Sequence, residues 1–329
     1  MATIKEVAER TGLSSTTVSR VINNHPYVDE SKRQLVLTAM EELGYVPNSS
    51  ARRLRGQRTQ TIAVIISRIV NPFFSHLVDA MERTASELGY QIILCDSRLN
   101  KKRELAHLEL LKAKQVDGVI LASLQNKWED IKPYTRYGPI ISCNEYDSMA
   151  KLPMIICDQE AGGYIGTKHL IDRGHTHIAY AGGADRIELT HDRKKGFVRA
   201  MEEANLPILP EFMFPSNYGI EDGKRIFQRI FAMENRPTAI FAGGDEVAAG
   251  IIQEAKRFDY SVPRQLAVIG FDNQPIADLI DPGITTIDQP IELMGSRAVE
   301  LMVDSIKQDR TLSYNKELLP LQLIIRQST

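Results

Sequence analysis

Apolar positions along the chain recur with two different periods, and the switch between them divides the sequence. From Ile4 to Tyr45 they fall three and four residues apart, the spacing of a single buried stripe on a helix. Ile4, Val7 and Ala8 make one stripe, Val18, Val21 and Ile22 a second, and SKRQLVLTAMEELG (31–44) carries a third, closed by Gly44. From Thr61 onward, short continuous apolar runs take over: TIAVII (61–66), YQIILC (90–95), DGVILA (117–122), PIISC (139–143), MIIC (154–157), HIAYAGG (177–183), TAIFAGG (238–244) and LAVIGFD (266–272). Amphipathic stretches lie between them, clearest at 73–89, 103–115, 163–174 and 195–205. Continuous apolar strands alternating with helices predict parallel sheets covered on both faces. About eleven such strands exceed one comfortable sheet, so two doubly wound lobes are expected. A ligand would bind in the crevice outside the carboxyl ends of their strands.

The first three stripes are punctuated in a specific way. Thr3 followed by Glu6 fits a capping box, Gly12 supplies a left-handed turn, and Ser14 can cap the second helix. Ala8 must be small where the helices cross, Gly12 must turn, and Val18 must pack between them, which predicts a helix-turn-helix. Ser15, Thr16, Ser19 and Arg20 are left on the outward face of the second helix. Short polar and basic side chains of this kind can reach base edges and phosphates in a major groove.

Charge sharpens the division. The net charge is −2, but residues 1–58 hold nine Lys/Arg against six Asp/Glu, while the rest holds 31 against 36. A small basic head on an acidic body points to a polyanion partner for the head. In VPNSSARRLRGQRTQT (46–61), Arg52, Arg53, Arg55 and Arg58 surround Leu54 with no acid to answer them. Such a segment is too short and too charged to hold a helix alone, but it can order against phosphates, and an apolar side chain such as Leu54 can wedge between base steps. The 329 residues, 43 % apolar, are too many for one ordinary core. No apolar run approaches membrane-spanning length, and MATIKEVAER has no apolar core of a leader, so a cytoplasmic protein is expected. Cys95, Cys143 and Cys157 each sit in an apolar run without a Cys-x-x-Cys pair, which predicts buried reduced thiols.

TIKEVAERTGLSSTTVSRVINN, followed by VPNSSARRLRGQRTQTIAVII, resembles the lactose/galactose repressor family of bacterial transcription regulators, and the resemblance runs the length of the chain. It implies a small all-α helix-turn-helix head (1–46), a hinge helix or linker (47–59), and an α/β body (60–329) of two doubly wound parallel-sheet lobes, periplasmic-binding-protein-like. The N-lobe would be about 60–158 plus 290–320 and the C-lobe about 159–289, with three crossings between them. It further implies that Ser15, Thr16 and Arg20 read bases, and that Thr17, Ser19, Asn23 and Tyr27 position the DNA backbone. Asn48, Ala51, Arg52 and Leu54 would belong to a hinge helix that folds on the operator. The expected partner is pseudo-palindromic operator DNA, bound by a homodimer. LIIRQST after the last strand carries no heptad, which argues for a dimer rather than a tetramer.

Candidate ligand groups sit just after strands. Asp245 follows TAIFAGG, Asp272 ends LAVIGFD, Asn144 follows PIISC, and Arg193 is expected in the loop before the helix at Gly196. Two carboxylates, an amide and a guanidinium facing one cleft suit paired hydroxyls. Phe73 and Phe74 begin the first body helix and Tyr218 follows MFPSN, so aromatics could stack on a sugar or a base. The resemblance places all seven on effector positions. The chain departs from the family at Gly244-Asp245, where Asn-Asp is common, and at Asn144, where an aspartate is common. The effector expected is a sugar or sugar phosphate, with a nucleobase or nucleoside, or a protein corepressor, as the alternative. An enzyme is not expected: no Gly-x-Gly-x-x-Gly follows the first strand, and no phosphate loop or Gly-x-Ser-x-Gly elbow occurs. No cofactor is implied, and His175 and His177 lack the further ligands a metal would need.

Overall fold

The computed structural model describes residues 2–22, 25–45, 58–183, 187–308 and 314–329. The chain divides into two units, Met1–Thr59 and Gln60–Thr329.

In the first unit, helices α1 (Ile4–Thr11), α2 (Ser15–Ile22) and α3 (Glu30–Glu42) enclose Val7, Ala8, Val18, Val21, Val36 and Ala39. The capping box forms: Thr3 Oγ1 accepts from the Glu6 N–H at 3.3 Å, and the Glu6 carboxylate accepts from the Thr3 N–H at 2.6 Å. Such a cap contributes about 1 kcal/mol. Gly12 ends α1 at φ 66°, a conformation that costs glycine little and other residues more. Ser14 Oγ accepts from the Thr17 N–H at 3.1 Å and starts α2, and the Asp29 carboxylate accepts from the Ser31 N–H at 2.9 Å and starts α3. The turn between α1 and α2 is short and the core small, so each buried valine contributes roughly 1.5–3 kcal/mol to a unit with few alternatives.

The second unit holds two six-stranded sheets among the described residues. In the first, β1 (Thr61–Ile66), β2 (Gln91–Asp96), β3 (Gly118–Leu121), β4 (Ile140–Cys143), β5 (Met154–Cys157) and β11 (Lys316–Leu319) lie in the order β11-β5-β4-β3-β1-β2, all parallel. In the second, β6 (Ile178–Ala181), β7 (Met213–Phe214), β8 (Ala239–Ala242), β9 (Ala267–Asp272), β10 (Thr285–Asp288) and β12 (Gln322–Ile324) lie in the order β12-β10-β9-β8-β6-β7. Only β12 runs antiparallel, against β10. The central strands are buried on both faces, as their unbroken apolar runs require. Seven longer helices cover the sheets: α4 (Pro72–Glu87), α5 (Lys101–Lys112), α6 (Gln159–Asp172), α7 (Glu188–Glu203), α8 (Ile220–Phe231), α9 (Asp245–Arg257) and α10 (Ile291–Gln308).

The lobes exchange segments. α10 returns to pack on α4 beneath the first sheet, and β11 extends that sheet before β12 rejoins the second. The chain therefore passes between lobes near 158, 290 and 320. Two helices begin earlier than their apolar pattern predicts. The Asp158 carboxylate accepts from the Ala161 N–H at 2.9 Å, which starts α6 at Gln159 rather than at Gly163. α7 starts at Glu188, so Arg193 is not in a loop: it lies inside the helix. The polar stretch THDRKK hides this, because its buried members are Thr190 and Arg193 rather than large apolar residues.

α6 and α7 meet backbone to backbone. A Cβ on Gly163 would lie 2.0 Å from the Arg193 carbonyl oxygen, and one on Gly196 would lie 2.0 Å from that of Glu160. Two glycines thus let the backbone carrying Arg193 press directly on α6, close to the first crossing.

Candidate functional site

In the head, Ser15, Thr16 and Arg20 are exposed on α2, with Thr17 and Ser19 half-buried beside them. Tyr27 is 91 % exposed, a large aromatic with little intramolecular reason to be there. Asn23, Asn48, Ala51, Arg52 and Leu54 lie outside the described residues.

In the body, a cleft of about 130 Å3 opens where strands of both sheets end. It lies at the carboxyl ends of β1, β4, β6, β8, β9 and β10, through Ser67, Asn144, Gly183, Gly243, Asp272 and Gln289. Six of the seven expected residues line it: Phe73, Phe74, Asn144, Arg193, Tyr218 and Asp272. Asn71 caps α4 by accepting from the Phe73 N–H at 2.9 Å, and Pro72 occupies the first turn, so both phenylalanines are set at the helix start. Their rings meet edge to face at 5.3 Å, and each belongs to the core as well as to the cleft wall.

The polar groups form a relay. Arg193 donates through Nε and Nη2 to Gln159 Oε1 at 3.2 and 2.6 Å, and through Nη1 to the Gly243 carbonyl at 2.6 Å. Its guanidinium lies 3.3 Å from the centroid of the Phe271 ring. Gln159 Nε2 donates to Gln289 Oε1 at 3.0 Å, and Gln289 Nε2 donates to Asp272 Oδ1 at 2.6 Å. Gln274 Nε2 donates to the other Asp272 oxygen at 3.1 Å. Gln159 and Gln289 sit at two of the three crossings, so the polar groups of the cleft are hydrogen-bonded to the segments where the chain passes between lobes. Burial pushes the Asp272 carboxyl up to about 6, opposed by Arg193 and the two glutamine donors. Asn144, at φ 77°, donates to the Ala122 carbonyl at 3.4 Å, while its buried Oδ1 has no partner among the described residues. Among the described residues, three of the five guanidinium N–H groups on Arg193 are used.

Asp245 does not line the cleft. It is fully buried beneath it, and its oxygens accept from Thr286 Oγ1 and from the Gln274 N–H, both at 2.7 Å. The expectation that it faces a ligand is therefore corrected: it anchors the turn after β9 from which Gln274 and Asp272 project. Its neighbour Glu246 lines the cleft instead. Burial raises the Glu246 carboxyl and Arg68 opposes that shift. Arg68, Thr190, Glu246, Gln274 and Gln289 were missed by sequence reasoning. Position at a strand end was a usable signal for Gln289, which follows TTID, but Thr190 needed knowledge of where α7 begins.

A family model described as "Bacterial regulatory proteins, lacI family" matches residues 3–48, and one described as "Periplasmic binding protein-like domain" matches 167–329. The NTD biosynthesis operon regulator NtdR of Bacillus subtilis (strain 168) is 44 % identical over 329 residues, covering all of both chains. The chain belongs to the LacI family of bacterial regulatory proteins. It is a DNA-binding transcription regulator, not an enzyme. The HTH-type transcriptional repressor PurR of Vibrio parahaemolyticus is 35 % identical over 309 residues, covering 93 % of this chain and 92 % of that one. Among solved structures, the transcriptional regulator CelR in complex with cellobiose superposes with a TM-score of 0.75 at 26 % identity, covering 100 % of both chains. The helix-turn-helix head and the two periplasmic-binding-protein-type lobes are those of the family. Among the described residues, no helix is long and apolar enough to cross a membrane.

Proposed function

We propose that this regulator is a repressor acting in the cytoplasm as a homodimer, whose affinity for a pseudo-palindromic operator is set by an uncharged carbohydrate bound between the lobes. The observation that carries this reading is the cleft's balance of groups. Arg193 and Arg68 stand against Asp272, Glu246 and Glu145, the last already accepting from the Leu124 N–H, and amides from Asn144, Gln274 and Gln289 stand among them. Paired hydroxyls match such a mixture of donors and acceptors, whereas a phosphate would need cationic excess, and three of the Arg193 N–H groups are already spent. Phe73, Phe74 and Tyr218 offer an apolar wall for the face of a sugar ring.

In this reading Ser15, Thr16 and Arg20 read base edges, Thr17, Ser19, Asn23 and Tyr27 hold the phosphate backbone, and Asn48, Ala51, Arg52 and Leu54 meet the minor groove. A second protomer is supported by the exposed apolar residues of the first lobe, Ile69, Val70, Ile93 and Leu94, the last two on edge strand β2. The test is selection of DNA from a random pool by the purified full chain at about 0.15 M salt, since affinity without a stated salt has no meaning. A two-fold symmetric site with a deformable centre is expected, and genes beside its genomic copies name the effectors to titrate. Purely non-specific binding overturns the operator reading. Response to a nucleobase or nucleoside, or only to an added corepressor protein, overturns the carbohydrate.

A further inference from the structure

Away from the crossings, among the described residues, the two lobes touch through a concentrated set of polar contacts. The loop after β4, in the N-lobe, presents Tyr146 and Ser148 to the first turns of α7, in the C-lobe. The Tyr146 hydroxyl donates to the Asp192 carboxylate. The Ser148 N–H and hydroxyl donate to the two oxygens of Glu188 at 2.7 and 3.0 Å. Between these anchors, Leu189 packs against the apolar cluster of the N-lobe. Tyr146 is only 8 % exposed, and Lys316 of β11 lies 5.4 Å from its ring centroid. Lys195 holds the same Asp192 carboxylate at 2.7 Å.

Spacing along α7 ties these contacts to the cleft. Glu188 and Asp192 are four residues apart, as are Leu189 and Arg193, so the two pairs form adjacent stripes on the same turns. Thr190 and Arg193 line the cleft from those turns. The helix end that grips the other lobe therefore carries the guanidinium that reaches Gln159 at the first crossing. A relative rotation of the lobes breaks all three hydrogen bonds to carboxylates together, and such charge-assisted bonds are roughly twice as strong as neutral ones. Packed interfaces of this kind tend to be bistable rather than continuously deformable.

We propose that Tyr146 and Ser148, with Asp192 and Glu188, form an interlobe latch that positions Arg193 and couples the lobe arrangement to operator affinity. None of the four needs to touch a ligand to do this. Glu188, Asp192, Tyr146 and Ser148 are positioning residues. The coupling, though not the latch itself, rests on the operator reading above.

Two measurements on the full chain separate the parts. Hydrogen exchange of the peptide spanning 145–150, without DNA, reports the latch itself. Glu188→Ala is expected to speed exchange at the Ser148 amide at least tenfold. Glu188→Gln, whose amide oxygen can still accept from that N–H, is expected to restore most of the protection. Unchanged exchange in Glu188→Ala overturns the latch. Operator affinity, with the DNA selected above, reports the coupling. Tyr146→Phe, Asp192→Asn and Glu188→Ala are each expected to shift it at least threefold in the same direction, and Tyr146→Phe with Asp192→Asn no further than either alone. Shifts below twofold, or of opposite sign, alongside faster exchange, overturn the coupling. If the unsubstituted chain selects no symmetric site, the operator reading and with it the coupling fail, while the exchange result still decides the latch.

Discussion

Asp245→Asn tests the electrostatics beneath the cleft. Asp245 is fully buried, and burial, with the Asp272 charge adding to it, pushes its carboxyl from the ordinary 3.8 up to about 8. The folded pKa is above the unfolded one, so the folded chain keeps a proton that the unfolded chain has released. Stability from this group is therefore complete below about pH 4 and declines as pH rises toward 8. At about 1.4 kcal/mol per pH unit the penalty nears 4 kcal/mol at pH 7. Proteins behave as if their interior dielectric were higher than dry protein, so half of this, about 2 kcal/mol, is the figure to expect. Asparagine has the same shape and no charge to bury. Its Oδ1 can accept from the Gln274 N–H, and its Nδ2 can donate to the Thr286 hydroxyl, which rotates to receive it. Urea unfolding of both proteins, followed by far-UV circular dichroism at several pH values from 5 to 8, gives the difference directly. Asp245→Asn should be the more stable protein at pH 7 by about 2 kcal/mol, with the gap widening toward pH 8 and closing toward pH 5. A variant that is less stable at pH 8, or a gap that does not depend on pH, would falsify the buried-proton account. Comparing the two chains at each pH removes contributions from other raised carboxyls such as Glu104 and Glu246, whose surroundings the substitution leaves alone.

Arg193→Ala strips donors from Gln159 and Gly243 and leaves Asp272 without its cation, so it should cost about 3 kcal/mol in urea unfolding. It should retain operator binding in a gel-shift titration but lose the response to the effector that the genomic sites identify. Arg20→Ala removes an exposed side chain, so stability should move by less than about 0.5 kcal/mol. The DNA selected by that variant should show relaxed preference at one position of each half-site. Gly196→Ala places a methyl 2.0 Å from the Glu160 carbonyl, where only backbone can yield. It should destabilise the body by about 1–3 kcal/mol and displace α7, weakening the effector response at an effector concentration that saturates the unsubstituted protein.

How much of this was legible in the sequence depended on which physical rule carried each residue. Period alone separated head from body, and strand ends located Asn144 and Asp272, because a parallel strand delivers its next residue to the crevice. The same rule misplaced Asp245. It too follows a strand, but a strand end has two sides, and only the hydrogen bonds to Thr286 and Gln274 reveal that its side chain turns inward. Glu246, one residue on, turns outward. Arg193 lines the cleft, but from inside a helix rather than from the loop expected. A helix whose buried face is threonine and arginine has no apolar stripe to announce it. The latch residues carried no signal in sequence. Tyr146 and Asp192 are 46 positions apart, and nothing local couples a loop in one lobe to a helix in the other.

The interleaving of the lobes has a consequence for the order in which the protein becomes functional. β11 and β12 are contributed by residues 316–324, and each completes a different sheet. During synthesis both lobes stay one strand short until that stretch has left the ribosome. The head, whose core draws only on residues 4–45, is complete long before that stretch is made. Domains made first fold first. The DNA-binding head is thus ready well before the body, and a chain stalled or clipped ahead of residue 316 would carry a folded head beside two incomplete sheets.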